Sequence, residues 1–416
     1  MPATVQNDVL KYKGSNFFRQ RLLLSTLSGR PIKIEDIRST NDDPGLREYE
    51  VSLIRLLDKV TNGTRVELSQ TGTSVYFQPG ILVGGQVTHS CSTQRGIGYY
   101  LEVLLALGPF CKEPINAVLQ GVTHSELDVS VDKIKTAALP VLLKFILVDD
   151  GLELKVVRRG APPLGGGEVV FKCPTKRHLR PLQWTTWGLV KRIRGIVYAL
   201  RVSPTMANRV VDAAKGVSRV MLKFLPDVYI NTDQCRGSNA GKSPGFGISL
   251  VAETNDKTFY CAEWFFILLY TGKLNYGTCN TRGIMSALPI LKKPIYASFE
   301  EPHIVVWENL SQGDGETENM RYLTPCIFAA LCISPTGRPL DWFRRNGFFF
   351  QMGPLSDYTI SFLQHLKEFF GVMFKLEVIR NDDDDDDSDD EGVSPANKIK
   401  MTCVGIGYVN ISKRTL

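Results

Sequence analysis

The residues best equipped for chemistry stand together in Val157-Arg158-Arg159-Gly160-Ala161-Pro162-Pro163-Leu164-Gly165-Gly166-Gly167-Glu168-Val169. This stretch joins two apolar runs, Leu152 to Val157 and Glu168 to Phe171. Proline fixes φ, and glycine admits backbone conformations that a Cβ forbids. Such a joint can hold Arg158 and Arg159 beside the exposed N–H groups of Gly165, Gly166 and Gly167, an arrangement that suits a phosphate chain. A hairpin loop with incidental arginines accounts for the same residues equally well.

A second group, Lys191-Arg192-Ile193-Arg194, alternates basic and apolar residues as an exposed strand face would. Its neighbourhood favours a binding role. Between Lys155 and Lys223 fifteen Lys and Arg face two acids, Glu168 and Asp212. So basic a region points to a polyanion, RNA or DNA, ahead of a merely solvated face. Near the C-terminus, helical spacing puts Ile360, Leu363, Leu366 and Phe370 on a buried stripe and Gln364, His365 and Lys367 on the exposed side. His365 has the chemistry of a general base for RNA cleavage, although a lone helical histidine is more often plain surface. Gly237-Ser238-Asn239-Ala240-Gly241-Lys242-Ser243 imitates a phosphate-binding loop, but has three residues between its glycines where that motif needs four. It reads as a surface turn. The nine cysteines and five histidines are scattered without metal-ligand spacing. The expectation is reduced, core-filling thiols, no metal and no cofactor.

The elements that must position these groups come from an internal repeat. Strand 9–13, helix 17–27, strand 32–37, helix 46–60 and a hairpin of 65–69 with 75–77 form one unit. The order recurs in strand 86–90, helix 95–107, strand 115–120, helix 131–146 and a hairpin of 152–157 with 168–171. Each unit is β-α-β-α-β-β, and repetition implies a duplicated module sharing one core. The fold class is therefore α/β, with helices covering sheets. After Pro181 the pattern changes to strand 191–202, helix 204–225, strand 227–231 and strands 248–253 and 258–261, a small βαββ domain set into the chain. Helix 355–370, with Ser356 as N-cap, and the strands 372–379 and 398–407 return to the repeat. The predicted division is 1–181 for two repeats, 182–262 for the insert and 263–416 for a third repeat that is doubtful. Prolines and aromatic clusters make 263–352 atypical; a translated intron or altered exon accounts for it better than divergence.

Nine acids between Asp382 and Glu391 hold the net charge at +6 and mask the basic balance elsewhere. They lie in a loop, 381–391, with too little apolar surface to pack. The start of the chain has no apolar h-region, and the longest apolar run, Trp264 to Tyr270, cannot span a bilayer. The chain reads as soluble and intracellular, with no membrane partner.

Arg159, Gly160, Pro163, Gly165, Gly166, Gly167 and Val169 match the signature of the RNA 3'-terminal phosphate cyclase family, which the chain resembles over about residues 9 to 262 and 353 to 412. Phe17 to Leu22, Ser25 to Pro31, Arg55 to Lys59, Arg95 to Tyr100, Ser243 to Gly247 and Met401 to Gly407 are similar to a eukaryotic branch that does not cyclise RNA ends. The resemblance implies three α/β repeats with a thioredoxin-like insert after the second. It also implies a nuclear, nucleolar role in the small-subunit processome, in pre-rRNA processing to 18S rRNA, with a ribosome-assembly GTPase as partner. True cyclases adenylylate themselves on a histidine in a Val-Asp-x-His motif, which is absent here; His303 stands in Glu301-Pro302-His303-Ile304. Their Glu-Gly-Gly-Gly-Gln loop is replaced by Tyr12 to Asn16, with Arg19 keeping the family arginine. Without a nucleophile to accept AMP the cyclase cycle has no first step. In relatives the last helix carries an Arg-x-x-Lys spacing proposed for pre-rRNA cleavage or GTPase docking; Lys367 matches and Gln364 replaces the arginine.

Overall fold

The unit written twice in the sequence folds twice into the same four-stranded sheet. The computed structural model describes residues 9–125, 127–146, 151–177, 179, 183–184, 189–221, 227–267, 348–352, 357–379, 398–403 and 410. In the first sheet strand Leu10–Lys13 runs parallel to Ile32–Glu35, followed by Val75–Gln78 and Arg65–Leu68, both joined antiparallel. The second sheet repeats this order as Gly84–Ser90, Glu113–Gly121, Gly167–Cys173 and Glu153–Arg158. A helical crossover returns the chain parallel and a short loop returns it antiparallel, so the shared order follows from the shared connectivity. Alternation does the rest: Val169, Phe171 and Cys173 face the core while Lys172 faces out.

A third sheet has the same order, Gln183–Trp184, Phe348–Met352, Lys398–Cys403 and Phe374–Ile379. The doubtful third repeat therefore keeps its sheet and its second helix, Asp357–Phe370. That helix packs on helix Phe18–Ser28 of the first repeat. Leu22, Tyr100, Phe171, Phe362 and Met401, drawn from all three repeats, belong to one apolar core. Residues 268–347 of the atypical segment, the acidic loop 381–391 and the predicted cap Ser356 lie outside the described residues.

Three local expectations are corrected. Gln183–Trp184 pairs with Phe349 and Phe350 of the third sheet, so the insert begins after it. The last strand of the insert, Phe259–Ile267, runs five residues past 262, because Gly245 to Glu253 offers it a full-length antiparallel neighbour. The helix predicted over 131–146 is broken in kind: Val131–Lys133 and Leu139–Ile146 are α-helical, and Ile134–Ala138 forms a π turn between them. Pro140 has no N–H for the helical ladder and its ring crowds the preceding turn, which the wider turn relieves.

The insert is a sheet in the order Val228–Cys235, Val190–Leu200, Gly245–Thr254, Phe259–Ile267. Helix Pro204–Met221 covers one face through a separate core of Val197, Val210, Phe246 and Leu250. The other face turns toward the second repeat. Ser130 Oγ donates to Glu263, and Lys144 Nζ donates to the carbonyls of Asp256 and Lys257 at 3.1 and 3.3 Å. The candidate site lies where these two bodies meet.

Candidate nucleic-acid interface and its buried arginine

Close backbone approach, more than exposure, dictates the glycines of the Arg158 to Val169 loop. A Cβ at Gly160 would stand 2.3 Å from the Gly167 nitrogen, and one at Gly167 would stand 2.7 Å from Thr123 Cγ2. Gly165 and Gly166 take φ of 63° and 85°. The loop is pressed against the chain at Gly121 to Thr123 on one side and against the turn at Gly237 to Ser243 on the other. Lys242 N donates to Gly165 O at 2.9 Å, Arg159 N donates to Asn239 O at 3.4 Å, and Ser243 Oγ accepts from Leu164 N at 3.1 Å. The supposed surface turn is thus a wedge: Gly237 to Asn239 are exposed, but Ala240, Gly241 and Ser243 are buried. Gly160 N donates to Thr123 Oγ1 at 3.1 Å and Gly165 N to Ala161 O at 2.9 Å. Of the three amides expected to face a phosphate, that of Gly165 is therefore spent inside the protein.

Arg159 is spent as well, and its expected role as an exposed phosphate ligand is corrected. Its side chain is 4% exposed. Nη1 and Nη2 donate to the two oxygens of Asp132 at 2.6 and 3.0 Å, and Nε donates to Asp233 Oδ2 at 2.6 Å. Asp132 opens the π-containing helix of the second repeat, and Asp233 lies on the edge strand of the insert, so one guanidinium ties the two bodies. His124 completes the cluster. Its Nε2 lies 2.8 Å from Asp132 Oδ2, its Nδ1 lies 2.9 Å from Thr123 Oγ1, and its ring centroid is 4.1 Å from that of Tyr198. Burial works against the charge on Asp132, yet Arg159 and then His124 hold its carboxyl well below the usual carboxylate range. Burial also disfavours the charge on Arg159, and Asp132 followed by Asp233 more than restores it. A buried charge set of this kind specifies one arrangement of the bodies more than it adds net stability.

The other candidates divide by exposure. Arg158 Nη2 donates across the hairpin to Glu168 Oε2 at 2.7 Å while remaining partly exposed. Arg19 is buried: Nη2 meets Glu102 Oε2 at 2.7 Å, and its guanidinium lies 4.6 Å from the Tyr99 ring centroid. Burial pushes the Glu102 carboxyl up to about 8, against the pull of Arg19. Arg19 is thus a joint between the first two repeats, not an open ligand. Lys191 is exposed. Arg192 Nε donates to Glu253 at 2.7 Å, and Arg194 donates twice to Asp227 at 2.8 Å. A charge count along a stretch of sequence overlooks these acids because Glu253 arrives from a neighbouring strand and Asp227 from just before another.

On helix Asp357–Phe370 the expectation for His365 is reversed. Gln364 and Lys367 are exposed, but His365 is 7% exposed, with Nδ1 at 3.2 Å from Gln20 Oε1. Tyr12 and Phe17 meet its ring edge-on, and burial, with Arg21 nearby, holds its pKa down to about 4. Ile360, assigned to the buried stripe, is 40% exposed. The helix also packs on helix Phe18–Ser28 of the first repeat, and His365 lies on the side that this contact covers.

Sequence reasoning missed His124, Asp132, Tyr198, Asp233 and the buried pair Arg95–Asp128, whose atoms meet at 2.8 Å. No local motif marks them; only folding brings them together. Among the described residues no group of three or more His, Cys, Asp or Glu is placed to hold a metal, and no helix is long and apolar enough to cross a membrane. Cys91, Cys111, Cys173 and Cys403 are buried, as core-filling thiols would be.

With three sheets of one order, an insert between the second and third, and a glycine signature at the joint, comparison with known proteins becomes decisive. The family model for RNA 3'-terminal phosphate cyclase matches residues 10–376. The chain belongs to that family. The match spans the atypical segment 263–352. It is 49% identical over 416 residues, the whole of both chains, to the probable RNA 3'-terminal phosphate cyclase-like protein of Drosophila melanogaster. It is 47% identical over 409 residues, 97% of each chain, to the RNA 3'-terminal phosphate cyclase-like protein of Homo sapiens. A protein of Schizosaccharomyces pombe named as an rRNA processing protein is 49% identical over 254 residues, 61% of this chain and 69% of its own.

Proposed function

We propose that this member of the cyclase family is a non-catalytic RNA-binding factor in small-subunit ribosome biogenesis. It acts in the nucleolus, within the processome, where pre-rRNA is processed toward 18S rRNA. The observation that carries the reading is the likeness to a protein named for rRNA processing. Two further points support it. The chain lacks the Val-Asp-x-His motif that accepts AMP in true cyclases, and the signature arginine, Arg159, is consumed in joining two bodies. RNA would be held through phosphates by the exposed or half-exposed Arg158, Lys191, Arg192 and Arg194, a sequence-independent mode. The exposed Gln364 and Lys367 supply the surface for a ribosome-assembly GTPase. No cofactor takes part.

The competing reading is an RNA-processing enzyme, a pre-rRNA endonuclease or a cyclase. His365 as a nuclease base has little support, since it is buried against Tyr12, Phe17 and Gln20. Incubation with labelled ATP tests the cyclase branch: the expected result is no covalent adenylate, and a labelled protein band overturns the reading. Purified protein mixed with a labelled pre-rRNA spacer fragment tests the rest. Binding without cleavage is expected; cleavage lost in Lys367→Ala would establish the enzyme instead.

A further inference from the structure

The insert has two sheet faces, and the described residues cover only one and a half of them. Helix Pro204–Met221 packs on the first face. The second face meets the second repeat through its far strands, where Val251 is buried in the main core and Glu263 accepts from Ser130. Among the described residues the near side is left open along the edge strand Val228–Cys235. There Tyr229 is 61% exposed, and Asn231, two residues along and therefore on the same face, is exposed as well.

Tyr229 stands directly opposite Arg194 in the parallel register, and Arg192 shares that face one step further along its strand. We propose that this open half-sheet is a stacking platform for single-stranded RNA, with a nucleobase on the Tyr229 ring and flanking phosphates on Arg194 and Arg192. The inference rests on the RNA-binding reading above and narrows it to unpaired RNA. A solitary exposed tyrosine is ordinary. An exposed aromatic in register with one guanidinium and beside a second, on an open sheet face, has the two components that bind single strands: a π-surface for the base and cations for the backbone. A paired base inside a duplex has no free face to offer the ring. Arg194 is paired with Asp227 and Arg192 with Glu253, but the two arginine side chains are 39% and 41% exposed, and pairs open to water hold weakly against competitors. Asn231 supplies a donor and an acceptor beside the ring for a base edge.

The test uses the full chain and a short single-stranded oligoribonucleotide containing 2-aminopurine, with a hairpin duplex of the same composition as comparison. Tyr229→Ala should weaken single-strand binding by about 5- to 150-fold, the range for loss of one stacked base. It should change duplex binding little. Tyr229→Phe should retain affinity, and the quenching of 2-aminopurine seen with wild type and Tyr229→Phe should vanish in Tyr229→Ala. Arg194→Ala should weaken binding and lower its salt dependence. Wild type that binds RNA with no loss in Tyr229→Ala, or with equal loss for duplex and single strand, overturns the platform and leaves RNA binding standing. Wild type that binds neither RNA overturns the RNA reading itself, and the platform with it.

Discussion

Replacing Arg159 with alanine should loosen the joint between the second repeat and the insert more than any single change on the protein's surface. The side chain of Asp132 is 2% exposed and would lose two charge-assisted hydrogen bonds, at 2.6 and 3.0 Å. Breaking a buried pair by removing one partner costs about 3–5 kcal/mol, since the remaining charge stays desolvated. His124 would still reach Asp132 at 2.8 Å, which places the expected loss toward the lower end of that range. Asp233, 46% exposed, regains water when Arg159 is removed, so losing that pair adds less to the deficit than losing the one with Asp132. The assay is denaturant unfolding of wild type, Arg159→Ala, Asp132→Asn, Asp233→Asn and the two double variants that combine Arg159→Ala with each. A coupling between Arg159 and Asp132 well above that between Arg159 and Asp233 is expected. The pH dependence has a definite sign. Because the folded pKa of Asp132 is lowered, its contribution is fully present above the ordinary carboxylate value of about 4 and is lost as pH falls below it. The deficit of Arg159→Ala should therefore be largest at neutral pH and shrink in acid. A deficit within about 0.5 kcal/mol of zero at neutral pH, the range of an ordinary surface change, would refute the buried joint.

Gly160→Ala puts a methyl 2.3 Å from the Gly167 nitrogen, with backbone on every side; it should destabilise by about 1–3 kcal/mol or more, measured by thermal melting, and a neutral result would mean the loop is looser than described. His365 is held at about 4 against an ordinary 6.5, so between those values the unfolded chain binds more protons and stability should fall as pH drops. Replacement by asparagine should flatten that slope in denaturation curves, and an unchanged slope would place the histidine in water. The variant with Lys191, Arg192 and Arg194 all changed to alanine should bind single-stranded RNA more weakly, with a smaller slope of log affinity against log salt, by at most about 0.7 for each phosphate that is no longer neutralised. An unaltered slope would remove this strand from the interface.

The fold was legible because its evidence is periodic. Each β-α-β-α-β-β unit appears in the sequence in order, and even the third sheet follows once Gln183–Trp184 is joined to Phe348–Met352. The third repeat read as doubtful because prolines and aromatic clusters fill 263–352, and residues 268–347 of that segment lie outside the described residues. The π turn escaped because Pro140 lies inside an apolar pattern that reads as an unbroken helix. The site was legible only in part. The glycine signature marked the right place but suggested exposure, whereas its glycines serve close packing against Thr123 and Lys242. Arg159 was found by motif; Asp132 and Asp233, which determine what it does, come from a different helix and a different domain. His365 was misplaced because helical spacing fixes the face of a helix relative to its own residues, while the neighbour that covers it, helix Phe18–Ser28, belongs to another repeat.

The central claim is that this family member serves pre-rRNA processing without cyclase chemistry. The most direct measurement is the ratio of unprocessed small-subunit pre-rRNA to mature 18S rRNA in cells of the source organism depleted of the protein and re-supplied with it. The account predicts that precursor accumulates and 18S rRNA falls on depletion, and that wild type restores both while Arg159→Ala, which unseats the insert, restores them poorly. Normal 18S rRNA levels in depleted cells would contradict it.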